Sequence, residues 1–425
     1  NYNVAVGYDA GAAVTTGTLN TLIGGLAGDA ITTATDSTFV GYLAGSATVD
    51  GNHNTGIGSN ALAANTGGQN TAVGRDALAA NTSASFNTAV GRSAGAALTE
   101  GNRNVAIGKD SLLTDTLGSR SVAVGLGTLQ SQNFTTATDA YNTGVGHAAG
   151  NATTTGVQNS LVGGLAGDAL TTGQQNTVLG YSALTADTTG IGSVAIGRAA
   201  LEAQNFTGGE TSRNTAVGYH AGLAVTTGRF NTLLGGKVAE ALTDADYNTA
   251  LGYLALTADT LGSNSVAVGA FALRDQNFTT ATDSHNTAVG YNAGGDVTTG
   301  VDNTLIGGLS GDAITDADFN VAVGNSSLGA NTVGSRNTAI GSSALLVMNP
   351  STAADTYNTA AGYHAGRLVS TGTYNTILGS LAADSLTTGS FNVAVGADAL
   401  GGSSVTSAED NTCVGYAAGF DITTG

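Results

Sequence analysis

A five-residue block typified by N-T-A-V-G recurs 24 times along this 425-residue chain, and it constrains the fold more than any other feature. Its closing glycine lies first at Gly7, Gly24 and Gly41 and last at Gly415. The sequence numbers of successive block glycines differ by 17 nearly everywhere, by 16 once, by 19 once and by 21 four times. Because a fixed internal period of this size is typical of a solenoid, each repeat is predicted to form one coil that stacks on the next.

The steps of 21 form a second period, since they recur every four coils. They end at glycines whose sequence numbers differ by 72, and they therefore define a superrepeat of four coils. Within it, the residue four places after the block glycine is small in two coils and leucine in the next two, as Gly150, Gly167, Leu184 and Leu201 illustrate. We predict one continuous solenoid over residues 1–425 with an insertion in every fourth coil. The insertions lie near residues 130–141, 202–213, 274–285 and 346–357.

The residues of the repeat favour a short β-strand followed by turns. The block is rich in Val, Ile and Thr, which suit strands, and the frequent Gly and Thr outside it disfavour a helix. One repeat buries too little apolar surface to offset its chain entropy, so the repeats have to share a core. We therefore predict an all-β fold, a parallel β-solenoid (β-roll) of about 24 coils with about 17 residues per coil. At a rung spacing near 4.8 Å, this would be a rod on the order of 115 Å long.

Two positions of the block suggest specific roles inside the stack. The first is Asn in 20 of the 24 copies and Ser in the other four, namely Ser37, Ser121, Ser193 and Ser265. Identical amides that lie one above another can hydrogen-bond as a ladder. The block glycine indicates either a positive φ or a close approach of another backbone segment.

The strand of the block is apolar on both faces, which predicts more than one chain in the assembly. Adjacent side chains of a strand point to opposite faces. The third block position is apolar or small, and the fourth is Val, Ile or Leu in every copy except Ala361. One face can line the interior of the coil, whereas the other needs a cover. We hypothesise that further copies of the chain supply it, in a homotrimer or a similar bundle.

Composition and charge exclude several classes of function. The net charge is −18 with only 12 Lys and Arg, which argues against nucleic-acid binding and against an anionic membrane surface. No apolar run reaches transmembrane length, so we expect no membrane insertion of this segment. The chain has 65 Gly and no Trp, and a thin solenoid core offers few concave sites. No nucleophile–base arrangement or paired-carboxylate pocket recurs, so we predict a protein that is not an enzyme and needs no cofactor.

Two longer motifs resemble a known family. N-T-A-V-G-Y-x-A-G and S-V-A-I-G-R-A-A are similar to the N-S-V-A-I-G repeats in the heads of YadA-like trimeric autotransporter adhesins. The arrays of N-T-A-V-G-Y…A-L…N-T-T-G also resemble repeats of phage tail-fibre and other bacterial surface proteins. The resemblance covers essentially the whole chain. It implies a left-handed parallel β-roll, a homotrimeric fibre and display outside the cell.

The insertions contain the main candidate sites. Three of them hold an N-F-T triplet, which is the acceptor pattern for N-glycosylation, at Asn133, Asn205 and Asn277. The alternative is that duplication copied a loop whose phenylalanine packs onto the coil. Because loops carry function on solenoid scaffolds, these segments are also the candidates for contact with a partner.

Other residue groups favour structural roles. Stacked T-T-G turns, such as those at Thr15 and Thr298, could order water in an ice-binding array, although Thr also suits exposed strands. The acidic turns at residues 243–246 and 315–318 match no dense Ca²⁺ loop and are interpreted as solvated. The five His lack metal-ligand spacing, and Cys413 stands at a core position of the block, so no metal site is predicted.

Three functions remain open from the sequence. The first is a fibrous structural or adhesive element that extends from a cell surface or virion and presents its loops to a host-cell receptor or glycan. The second is a self-assembling extracellular filament whose subunits stack end to end through unpaired terminal coils. The third is an ice- or glycan-binding module. We expect the chain to be extracellular, at a cell surface or on a virion.

Overall fold

The computed structural model describes residues 2–403 and 405–422, which form a β-solenoid of short parallel strands. No helix occurs within these ranges. The predicted all-β fold of about 24 coils with about 17 residues per coil is therefore confirmed. The coils belong to two compact units, one that ends at Arg213 and one that begins at Asn214.

Each coil contributes one three-residue strand to the main ladder of its unit, and the insertions add two-residue strands. The strands of the N-terminal unit are Val4–Val6 (β1), Thr21–Ile23 (β2), Thr38–Val40 (β3), Thr55–Ile57 (β4), Thr71–Val73 (β5), Thr88–Val90 (β6), Val105–Ile107 (β7), Gly118–Ser119 (β8), Val122–Val124 (β9), Thr138–Asp139 (β10), Thr143–Val145 (β11), Ser160–Val162 (β12), Thr177–Leu179 (β13) and Val194–Ile196 (β14). The strands of the C-terminal unit are Thr215–Val217 (β15), Thr232–Leu234 (β16), Thr249–Leu251 (β17), Gly262–Ser263 (β18), Val266–Val268 (β19), Thr282–Asp283 (β20), Thr287–Val289 (β21), Thr304–Ile306 (β22), Val321–Val323 (β23), Gly334–Ser335 (β24), Thr338–Ile340 (β25), Ala354–Asp355 (β26), Thr359–Ala361 (β27), Thr376–Leu378 (β28), Val393–Val395 (β29) and Thr412–Val414 (β30).

The register of each ladder places equal block positions side by side. Ala5 pairs with Leu22, and Leu22 pairs with Phe39 on the next coil. Three insertions return to the solenoid through a second short parallel ladder, β10 on β8, β20 on β18 and β26 on β24. In the second insertion, isolated bridges from Ile191 to Gln174 and to Thr211 replace these short strands.

Two turn positions fill the core by complementary volumes, which explains the alternation of small residues and leucines in the superrepeat. In small-type coils the glycine four places after the block leaves room for a branched side chain three residues later, as in Gly28 and Ile31. A Cβ on Gly28 would lie 2.8 Å from the Cδ1 atom of Ile31 and 2.8 Å from the Cδ2 atom of Leu22. In leucine-type coils the same two positions hold a buried leucine and a buried polar residue, as in Leu184 and Asp187.

The block glycine satisfies both conditions that the sequence suggested. Gly24 has a φ of 134°, a conformation that residues with a side chain rarely adopt. A Cβ added there would lie 2.4 Å from the carbonyl oxygen of Gly41 on the next coil. The neighbouring coils therefore approach each other too closely for any residue other than glycine.

The asparagine ladder lies inside the coils and bonds mainly to backbone. Asn20 is fully buried, and its Nδ2 atom donates to the carbonyl oxygen of Ala34 at 2.8 Å. Its Oδ1 atom accepts the N–H of Ser37, the first block residue of the next coil, at 3.0 Å. Direct amide-to-amide bonds are added at several steps, such as 3.0 Å from Asn375 to Asn358. Because each amide bridges two coils, the ladder keeps successive coils in register.

Candidate interaction surface

The main ladder of each unit leaves one aliphatic face uncovered. The third block position points inward and is buried from Leu22 onward, whereas no side chain at the fourth position is buried in the described chain. We call these fourth-position residues the outer aliphatic column. Its members in the N-terminal unit are Val6, Ile23, Val40, Ile57, Val73, Val90, Ile107, Val124, Val145, Val162, Leu179 and Ile196. Those in the C-terminal unit are Val217, Leu234, Leu251, Val268, Val289, Ile306, Val323, Ile340, Ala361, Leu378, Val395 and Val414.

In eight of the 24 coils an exposed tyrosine borders this column, two residues after the column member. Tyr42 is 58% exposed, and its ring covers the coil before it, where a Cβ on Gly25 would meet the ring at 3.5 Å. Tyr253 covers Gly236 in the same way at 3.6 Å. Because Gly25 and Gly236 have no side chain, these two rings lie against the backbone, and the apolar surface of the sheet extends there beyond the outer aliphatic column.

On the other side of the strand, the residue just before the block carries a stack of planar side chains in the C-terminal unit. Phe319, Arg336, Tyr357, Tyr374 and Phe391 occupy this position on five successive coils, and we call them the π ladder. The rings of Tyr357 and Tyr374 are 5.1 Å apart with an interplanar angle of 21°, and those of Tyr374 and Phe391 are 5.1 Å apart at 5°. The guanidinium carbon of Arg336 lies 4.6 Å from the ring of Phe319 and 5.9 Å from that of Tyr357.

The three predicted glycosylation asparagines are exposed at the start of their insertions. The side-chain oxygen of Asn133 accepts a hydrogen bond from Thr116 at 3.0 Å, and Asn205 and Asn277 accept equivalent bonds from threonines of the preceding coil. The phenylalanines that follow them are buried: Phe134, Phe206 and Phe278. The buried rings agree with the alternative of a duplicated loop packed onto the coil, while glycosylation of the exposed amides stays a prediction.

A buried carboxylate anchors each of these three insertions, and the sequence reasoning missed it. Asp115 is fully buried and accepts hydrogen bonds from Gln132 Nε2 at 2.6 Å, from the Gly118 N–H at 3.0 Å and from the Phe134 N–H at 3.3 Å. Gln132 in turn accepts from Asn142 Nδ2 at 2.9 Å. Desolvation raises the pKa of the Asp115 carboxyl, and the hydrogen bond from Gln132 opposes this rise.

The same arrangement recurs in each of the next two superrepeats. Asp187 with Gln204 and Asp259 with Gln276 repeat the side-chain bond at 2.7 and 2.6 Å, and desolvation again raises the pKa of each aspartate. We call the three Asp–Gln pairs the carboxylate anchors. The signal that could have found them is the joint appearance of Asp, Gln and a block serine at fixed places in these superrepeats.

The remaining sequence candidates have structural partners. The hydroxyl of Thr15 donates to the Thr32 carbonyl at 3.0 Å, and that of Thr298 donates to Thr315 at 3.1 Å, so these donors are engaged with the next coil. In the acidic turns, Asp246 accepts the Arg229 N–H at 2.7 Å, and Asp318 accepts the Val301 N–H at 2.8 Å.

Cys413 and the histidines also have ordinary surroundings. Cys413 is buried in β30, and desolvation raises the pKa of its thiol, as a core position would. His53 and His285 lie 3.9 and 3.6 Å from the aspartates Asp36 and Asp302 of neighbouring coils. These contacts place His53 and His285 beside carboxylates on the surface.

Concave and metal-binding sites are missing from the part of the chain that the structure describes. No cavity opens among these residues, and no group of three or more His, Cys, Asp or Glu side chains comes together. Residues 2–403 and 405–422 also contain no helix of the length and hydropathy needed to cross a bilayer. No protein-family model matches the chain, and no curated protein matches it.

Proposed function

We propose that this chain is a non-enzymatic extracellular fibre element that assembles with further copies of itself through the outer aliphatic column. It would extend from a cell surface or virion as a homotrimer or a similar bundle and present its insertions to a partner such as a host-cell receptor or glycan. The observation that carries this proposal is the uncovered aliphatic column on the main ladder of each unit.

The size of the column supports self-association. Leu179 is 48% exposed and Ile340 is 45% exposed, and covering a half-exposed side chain of this kind contributes on the order of 1 kcal/mol. The column has twelve members in each unit. Their sum is about 10 kcal/mol per unit, comparable to the roughly 4–15 kcal/mol of entropy lost on association. A second copy is a suitable cover because it carries the same regularly spaced column.

The chemistry of the chain and its resemblance support the fibrous role. A net charge of −18 keeps extended particles apart and soluble, while the apolar column allows specific lateral contact. The resemblance to adhesin-head and tail-fibre repeats supports a homotrimer, a left-handed roll and display outside the cell. Contact with a receptor or glycan would then fall to the insertions, which interrupt the regular coils.

Light scattering on the native protein tests the assembly. We expect the mass of three chains, and a monomer at micromolar concentration would contradict the proposal. Changing Ile57 and Ile107 together to Thr keeps strand propensity but makes the column more polar, so the trimer should dissociate more readily. The matched control changes the exposed turn residues Thr16 and Thr33 to Ser and should leave the mass unchanged.

Electron microscopy of the native material would separate discrete fibres on a larger particle from continuous filaments.

A further inference from the structure

We propose that the π ladder is a binding strip for flat, elongated, cationic aromatic molecules. The five side chains occupy successive coils with rungs about 4.8 Å apart, so the strip is roughly 19 Å long. This length accommodates a ligand of two or three linked or fused rings. The proposal is independent of self-association through the outer aliphatic column.

The backbone does not require aromatic residues at this position. Phe319, Tyr374 and Phe391 have φ values of 58°, 57° and 60°, in the left-handed region that bulky residues rarely adopt. Asp302 and Asp410 occupy the same position on the flanking coils with φ values of 56° and 56°. Asp and Asn suit this conformation better, because their short polar side chains can bond locally. The ladder therefore holds large rings where the fold would accept smaller residues.

The ladder remains exposed and ordered. Phe319 is 44% exposed, Tyr374 is 49% exposed and Phe391 is 55% exposed, so stacking leaves much of each ring open. The Asp355 carboxylate forms an ion pair with Arg336, 3.0 Å from Nε, and accepts a hydrogen bond from the Tyr357 hydroxyl at 3.1 Å, and these contacts hold the middle of the stack in place. A pre-ordered strip loses little side-chain entropy when a ligand lies on it.

Ring geometry and charge select the class of ligand. Rings stacked face to face direct their edges outward, and the edge of an aromatic ring is electropositive while its face is electronegative. A flat aromatic ligand laid across the strip would bury its face against several of these edges at once through apolar contact, whereas the C–H groups of a sugar pair with ring faces and would meet only edges. The positive charge of the ligand would be attracted by the acidic residues beside the strip rather than by the ring edges. Asp302 and Asp410 border the ends of the ladder, and the net charge of −18 further favours a cation.

Thioflavin T, a cationic benzothiazole dye, is a suitable probe for the full chain. We expect saturable binding with a rise in dye fluorescence. Tyr374→Ser removes the rung between Tyr357 and Phe391 and should weaken binding roughly 3- to 10-fold, which corresponds to the 0.5–1.5 kcal/mol of an aromatic contact. The matched control is Tyr247→Ser, which breaks the stack of Phe230 and Tyr247 at 5.1 Å and should leave the dissociation constant within about twofold.

The outcomes separate the ladder from the rest of the surface. No binding of the dye by the parent protein would overturn the proposal. Equal weakening by both variants would also overturn it, because the dye would then bind the sheet surface in general rather than the π ladder. Stronger binding of a linear oligosaccharide than of the dye, lost in Tyr374→Ser, would also overturn the choice of ligand. Far-UV circular dichroism confirms that both variants fold, and light scattering shows whether assembly changed independently.

Discussion

The first and fourth insertions return to their coils in the same parallel register, β10 on β8 and β26 on β24, but they rest on different buried side chains. The first has Asp115 bonded to Gln132. At the equivalent places the fourth has Asn331 and Met348, both also fully buried. The backbone of an insertion therefore does not require a buried charge, and both members of the pair differ together.

Hydrogen-bond capacity explains why the two members change as a pair. Asn331 accepts the Gly334 N–H at 2.9 Å and donates from Nδ2 to the Gly334 carbonyl at 2.7 Å. A glutamine beside this Nδ2 atom would bring a second donor, whereas Met348 brings none and only accepts a weak contact from Asn358 at 3.7 Å. A carboxylate, in contrast, can only accept hydrogen bonds, so it needs the glutamine as a donor.

Of the changes to this pair, Gln132→Met should destabilise the first insertion most. The Asp115 carboxylate would stay buried without its side-chain donor, and the free energy of local opening should fall by about 2–4 kcal/mol. Native-state hydrogen exchange at the amides of Gly118 and Phe134, which both donate to Asp115, measures this quantity. Gln175→Met, at an exposed glutamine, is the control and should change it by less than about 0.5 kcal/mol. Unchanged exchange in Gln132→Met would mean that the anchor contributes nothing.

Changing Asp115 alone to Asn should have a smaller effect. The new Nδ2 atom would face Gln132 Nε2, so two donors meet, but no charge remains buried and the Oδ1 atom still accepts the Gly118 N–H. We expect a loss of about 1–2 kcal/mol in the same exchange measurement. A loss larger than that of Gln132→Met would show that the carboxylate itself, rather than its pairing, stabilises the insertion.

Combining Asp115→Asn with Gln132→Met installs the pair of the fourth insertion in the first. The loss should be smaller than that of Gln132→Met alone, with a coupling free energy of at least about 1 kcal/mol. A double-mutant cycle built from the three variants gives this value. Additive effects would indicate that the two side chains act independently, contrary to the bond of 2.6 Å between them.

The sequence was sufficient for the regular part of the fold, because each regular feature follows from a local requirement. Gly24 recurs as glycine since φ and the backbone of the next coil both demand it. Strand alternation predicted one uncovered apolar face, and the structure places that face at the fourth block position, where Leu179 is exposed. Asp115 was not foreseen, because a charged residue in a turn is ordinarily solvated and only the insertion above it buries it. The π ladder was also missed, since its members lie on separate coils, far apart in the sequence, and differ in residue type.

The smallest expected effect is a difference in pH dependence between the two insertions. Desolvation raises the pKa of Asp115 above its value in the unfolded chain, so the folded state binds a proton more readily. The stability from this group is fully present below the unfolded pKa and is lost as the pH rises through the folded pKa. Corrected for intrinsic exchange, the opening free energy at Gly118 should fall with rising pH in that window, by less than about 1.4 kcal/mol per pH unit. The Gly334 amide, which donates to the neutral Asn331, should show no such slope, and equal slopes at both amides would refute the assignment.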